Sequence, residues 1–160
     1  MTASGTGSRT VIRSFVEHEH QELVAGIDRI HEVGCELPAL SVNQMSVRVG
    51  GVLRWVEGTL KPHMAWEEQW LFPTIDQRAQ TPWATRLIRF DHRQIAQQAE
   101  RISSHRVAIE HGPTSEATTQ MRSDLFALEA LVRANVEREE SFLLPLLELE
   151  ADHGAPEWHD

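Results

Sequence analysis

The feature that most limits what this chain can fold into is an internal repeat. A shift of 72 positions places Val16 on Ile88, Glu19-His20 on Asp91-His92, Leu23 on Ile95 and Ile30 on Ile102. The same shift places Leu53 on Leu125, Val56 on Leu128, Glu67-Glu68 on Glu139-Glu140, Leu71 on Leu143 and Pro73 on Pro145. One offset without a gap spans two consecutive segments in each half. The chain therefore reads as a duplicated two-segment unit with pseudo-twofold symmetry. The most telling pair of copies is "LKPHMAWEEQWLFP" at 60–73 and "VRANVEREESFLLP" at 132–145.

The segments are helices. Breakers close them at Gly34 and Pro38, at 77–82, at 111–114, and at Gly154 and Pro156. Between the breakers, apolar residues step by threes and fours: Ile12, Val16, Leu23, Ile27 and Ile30 in the first. The second carries Met45, Val49, Val52, Val56 and Thr59, and the third Ile88, Ile95, Ala99 and Ile102. The fourth carries Leu125, Leu128 and Val132, then Phe142 and Leu146. No segment alternates with period two over a useful length. The expected fold is all-α: an antiparallel up-down four-helix bundle of two repeated helical hairpins over residues 10–152, with flexible tails at 1–9 and 153–160. Thr81 before Pro82 is the expected N-cap of the third helix. Pro62, which cannot bond to residue i−4, predicts a kink before His63, and the second helix is expected to end soon after Pro73.

Net charge is −9, with no basic stripe, which argues against nucleic acid and against an anionic membrane surface. No window nears the ~20 apolar residues of a membrane span, and "MTASGTGSRT" lacks the apolar run of a signal peptide. The expectation is a soluble, cytoplasmic protein. Cys35 is the single cysteine, placed in a turn and given no role; a disulfide within the chain and a thiolate metal site are excluded. Tyrosine is absent, which excludes tyrosine-ligand or tyrosyl-radical chemistry.

Polar residues fall on the stripes that should be buried. His20 completes Val16–Leu23, His92 completes Ile88–Ile95, His63 and Glu67 continue the second stripe, and Asn135 and Glu139 continue the fourth. A single histidine on such a stripe is ordinarily a hydrogen-bonded core residue, and a single His-x-x-x-Glu a solvated face. Three histidines and two glutamates at equivalent places in two repeats are different. Buried carboxylates without partners cost several kcal/mol or take up protons, and no Lys or Arg is expected on their face. A bound cation removes the conflict; histidine plus carboxylate suits iron, manganese or zinc, and two facing carboxylates suit two bridged ions. Glu68 and Glu140 lie about 100° off that face, where they would be exposed or support the ligands. Trp66 and Trp70 are expected to pack at the core or its rim. His18, on the face opposite His20, is expected in solvent, and His105 at the surface.

"EHEHQEL", "FDHRQI" and "HMAWEEQWLFP" in this order resemble the hemerythrin-like, or HHE cation-binding, domain over about residues 10–152. The resemblance implies a four-helix bundle around a non-haem di-iron centre that binds, senses or reacts with O2, peroxide or nitric oxide, or senses iron. By position it makes His20, His63 and His92 terminal ligands and Glu67 and Glu139 the carboxylate bridges. The sequence departs from the pattern twice: Asn135 stands where a histidine is expected, and Ala96 where oxygen carriers have another. The expected centre is asymmetric, with the second ion weakly held or missing and with open positions that favour reactivity over carriage. The other expectation is a non-catalytic iron-sensing or iron-buffering module, whose protein partner would be a separate chain.

Overall fold

The computed structural model describes residues 5–110 and 114–148, with side chains from residue 14 to 147 apart from 111–113. Four long helices account for them. Helix α1 is Gly5–Glu36. After a short 3-10 turn, Leu37–Ala39, helix α2 runs unbroken over 42–78. Helix α3 is Arg86–Glu110, and α4 covers 115–148. No strand occurs among the described residues. Each helix packs on two others in the ring α1–α2–α3–α4, closed by an extensive α1–α4 seam.

The helix starts have local causes. Ser41 precedes α2, and its backbone N–H donates to Gln44 Oε1 at 2.9 Å. Thr114 caps α4, its hydroxyl accepting from Ala117 N at 3.0 Å. Several expected boundaries move. Helix α1 starts at Gly5, ahead of residue 10, and runs past Gly34, so Cys35 is exposed in its last turn rather than in a loop. Gly34 lies within the helix, and its missing side chain makes room for Phe126: an added Cβ would lie 2.8 Å from that ring. Thr81 does not cap α3, which starts at Arg86; its hydroxyl instead accepts from Trp83 N at 3.3 Å. Thr85, fully buried, precedes the helix and donates its hydroxyl to Asp76. The expected tail at 153–160 lies outside the described residues.

Each interior proline is handled by one device. The residue before Pro62, Pro73 and Pro145 donates its N–H five residues back, Lys61 to Val56, Phe72 to Glu67 and Leu144 to Glu139. The three wide π-type turns that result are Val56–Leu60, Glu67–Leu71 and Glu139–Leu143. Such a turn absorbs the hydrogen bond that proline cannot make. It also advances the buried face by one residue, which corrects two expected stripes. Leu60, not Thr59, is fully buried in α2; in α4, Leu143, Leu144 and Leu147 are buried while Phe142 is 71% exposed.

The repeat persists in three dimensions. Val16 and Ile88, Leu23 and Ile95, Leu60 and Val132, Met64 and Val136, and Phe72 and Leu144 are all buried at equivalent places. These residues form two apolar clusters. The larger extends from Leu23, Leu60, Ile95 and Val132 toward the Leu37 end; the smaller gathers Val16, Leu71, Phe72, Ile75, Ile88, Leu143, Leu144 and Leu147. Between them lies one polar layer.

Candidate metal centre

That layer contains the six residues singled out from the stripes. His20 comes from α1, His63 and Glu67 from α2, His92 from α3, and Asn135 and Glu139 from α4; all are at most 5% exposed. The two glutamates open the wide turns Glu67–Leu71 and Glu139–Leu143. Each therefore sits where the helix is already distorted by the proline further along it.

The atoms aim at one another. His20, His63, Glu67 and Glu139 each offer one ligand atom, and these four atoms lie within 4.8 Å of one another. Ligand atoms about 2.1 Å from one ion stand roughly 3.0–4.2 Å apart, so a contraction of roughly an ångström would close the set. His92 stands outside this group of four but beside the same carboxylates. Its Nε2 is 3.4 Å from Glu67 Oε2 and 3.7 Å from Glu139 Oε1. The opposite carboxylate oxygens face the other histidines: Glu67 Oε1 is 3.3 Å from His63 Nε2, and Glu139 Oε2 is 3.0 Å from His20 Nε2. Each glutamate thus shows one oxygen to each of two adjoining positions. One position has two imidazoles; the other has His92 alone. Asn135 supplies no replacement imidazole, and its side-chain amide donates to Glu139 Oε1.

These groups are otherwise unsatisfied. The Nε2 atoms of His20, His63 and His92, both Glu67 oxygens, Glu139 Oε2 and Asn135 Oδ1 are buried without a well-aligned hydrogen bond, although His20 Nε2 and Glu139 Oε2 stand 3.0 Å apart. Among the described residues the only other such atom is Arg106 Nε, which has Glu110 Oε1 at 3.1 Å. Buried polar atoms are nearly always bonded; seven unbonded ones converging on a layer between two apolar clusters fit a cation.

The outer nitrogens are held in place by residues whose role the sequence left open. His20 Nδ1 donates to Glu140 Oε1 at 3.0 Å, and His92 Nδ1 to Glu68 Oε1 at 2.9 Å. With Nδ1 committed, Nε2 is the nitrogen left to face the cluster. The pairing is crosswise, α4 serving α1 and α2 serving α3, so only the three-dimensional symmetry reveals it. Glu19 Oε2 stands 3.9 Å from His63 Nδ1. In the second repeat the corresponding Asp91 binds Arg138, which donates to Asp91 Oδ2 from Nε at 2.8 Å and approaches it with a terminal nitrogen at 2.7 Å. Arg138 was expected to point away; it lies half-buried beside the layer. The other expectations fare unevenly. Trp66 is half-buried against Phe15, ring centroids 5.1 Å apart, whereas Trp70 is 60% exposed. His18 is exposed. His105 is only part-exposed, because its Nδ1 contacts the buried Asp124.

Electrostatics favour positive charge in the layer. Burial by itself would lower the His92 pKa, but contacts with Glu139 and Glu67 outweigh it and raise the value from 6.5 to about 10. His20 is raised in the same way, burial being overcome by Glu139, Glu140 and Glu67. For Glu139, burial would raise the pKa, yet His20 and His92 bring it from 4.5 down to about 2. In the metal-free protein, protons on imidazole supply the positive charge that the carboxylates demand. A cation would displace them.

Among the described residues, no helix is long and apolar enough to cross a membrane. No curated protein and no solved structure gave a match. The family model described as "Hemerythrin HHE cation binding domain" matches residues 11–147, nearly the whole of the four-helix unit. This chain belongs to the hemerythrin HHE cation-binding family.

Proposed function

We propose that the protein is a non-haem di-iron member of this family that binds, senses or reacts with O2, peroxide or nitric oxide. The observation that carries the reading is the sharing of oxygens: Glu67 and Glu139 each face two adjoining positions, with His20 and His63 on one side and His92 on the other. Iron held there would supply redox chemistry toward such small molecules. The chain's residues do the rest. His20, His63 and His92 present Nε2, with Glu140 and Glu68 fixing the first and last. Glu67 and Glu139 hold the two positions together, and the clusters around Leu23 and Leu71 keep bulk water from the layer. Asn135, whose amide donates to Glu139, orients a carboxylate and has only a neutral amide oxygen to offer an ion. The second position is therefore short of protein donors and binds its ion more weakly. With fewer donors than a saturated carrier site, the centre favours reaction or sensing.

The test is spectroscopic. Iron-loaded protein in air should show near-ultraviolet charge-transfer absorption that shifts on adding azide, peroxide or nitric oxide. A spectrum indifferent to all of them opposes this reading. A second reading, a non-catalytic iron sensor or buffer, is favoured by one observation: the ligands of the two positions together come from all four helices, so ions in both would tie the whole bundle together. A responsive spectrum without peroxide turnover supports it.

A further inference from the structure

The two seams beside the layer are related by the repeat but built differently. At the α1–α2 seam a cavity of about 320 Å³ has His63 in its wall, with Phe15, Trp66, Glu19, Glu22 and Gly58 around it. The Phe15 and Trp66 rings meet at a tilt of 57° with centroids 5.1 Å apart, and Gly58 leaves the wall open: a Cβ added there meets nothing within 4 Å. At the α3–α4 seam, Asn135 replaces His63, Asp91 replaces Glu19 and Arg138 replaces Trp66. There the Arg138–Asp91 ion pair, with contacts of 2.7 and 2.8 Å, bridges the two helices. A cavity of about 260 Å³ on that side has Arg138, Leu87 and Phe142 in its wall, but not Asn135.

We propose that the α1–α2 cavity is the entrance through which divalent cations and small neutral molecules reach the centre, and that the Arg138–Asp91 pair bars the equivalent path. This rests on the metal-centre reading above. The chemistry of the walls sets the selection. Phe15 and Trp66 impose no penalty on an apolar diatomic molecule. The Glu19 and Glu22 carboxylates attract cations and repel small anions such as azide. A carboxylate about 10 Å from an arriving ion in water changes its energy by roughly 0.4 kcal/mol per unit of charge, or roughly 4-fold in local concentration for a divalent cation and 2-fold for a monovalent anion.

The experiment follows Co2+ uptake by the metal-free protein and azide binding to the iron-loaded protein, both by stopped-flow absorption. Gly58→Leu, which adds a side chain to the cavity wall, should slow Co2+ uptake severalfold at unchanged final stoichiometry. Adding Arg138→Ala to it should restore the rate by opening the twin seam. Glu22→Gln, an exposed change that leaves the core intact, should slow Co2+ roughly 4-fold and speed azide roughly 2-fold at low salt, with both effects lost near 1 M salt. Wild-type rates in Gly58→Leu and Glu22→Gln at normal stoichiometry overturn the entrance alone. Failure of Arg138→Ala to rescue overturns the barrier. A wild-type protein that takes up no Co2+ overturns the metal-centre reading itself.

Discussion

Glu68 and Glu140 offer a sensitive test of how the centre is organised. Both carboxylates are close to half exposed, at 46% and 48%, yet each takes the outer nitrogen of a fully buried histidine, at 2.9 Å and 3.0 Å. Replacing either by alanine removes no core packing and leaves the fold intact. It does free the imidazole to rotate and makes it a poorer donor. Losing such a supporting carboxylate typically costs 10–100-fold in metal affinity, about 1.4–2.8 kcal/mol. Solvent screening at half-exposed carboxylates puts the expected effect near the lower bound, about 10-fold. The two variants should act on different ions. Glu140→Ala weakens the ion at His20 and His63; Glu68→Ala weakens the one at His92, already the looser. Competition titration against a chromophoric chelator reads both affinities, and a melt of the metal-free protein checks the fold. Affinities within 2-fold of wild type in both variants would refute the argument that these carboxylates hold the ligands.

Three further outcomes follow from the same geometry. Asn135→His should tighten the second ion and bring the titration closer to two equal sites; an unchanged stoichiometry and spectrum would show that the asymmetry has another origin. The metal-free protein should be most stable between about pH 4.5 and 6.5. The raised His92 value contributes stability that is complete below pH 6.5 and lost as pH rises toward about 10, with the raised His20 acting in the same direction, while the lowered Glu139 value contributes stability present above 4.5 and lost as pH falls toward about 2. Denaturant melts across that range check it, and stability that increases from pH 6.5 to 9 contradicts it. Gly26→Ala would place a Cβ 2.0–2.4 Å from atoms of the Trp55 ring. Glycine to alanine in a helix ordinarily stabilises, but here overpacking should destabilise by about 1–3 kcal/mol, and Trp55→Leu in the same chain should recover most of the loss.

What could be read from the sequence was whatever depends on a residue's own neighbours along the chain. The repeat placed His20 with His92 and Glu67 with Glu139, and burial follows it: each pair is buried at equivalent depth. The stripes failed where the helix leaves its regular period. Phe142 is exposed and Leu143 buried because the wide turn before Pro145 inserts an extra residue into the phase, which a 3.6-residue count does not register. Proline near a buried glutamate was the available signal, present at Pro73 and Pro145. Contacts between helices were also out of reach. For Glu68 and Glu140 the choice between an exposed place and support of the ligands stays open in the sequence because their partners lie on other helices. Arg138, expected to point away from the ligand face, is marked by the repeat: Glu19, His63 and Trp66 change together to Asp91, Asn135 and Arg138. The three substitutions turn an open cleft over a histidine into an ion pair over an asparagine.

The central claim is that the buried layer holds cations, two of them and unequally. Elemental analysis of iron per folded chain, taken across a titration of the metal-free protein, tests it most directly. The account predicts a first equivalent bound tightly and a second bound more weakly, approaching two at saturation. A fully folded protein that retains no iron at saturating concentration would contradict it.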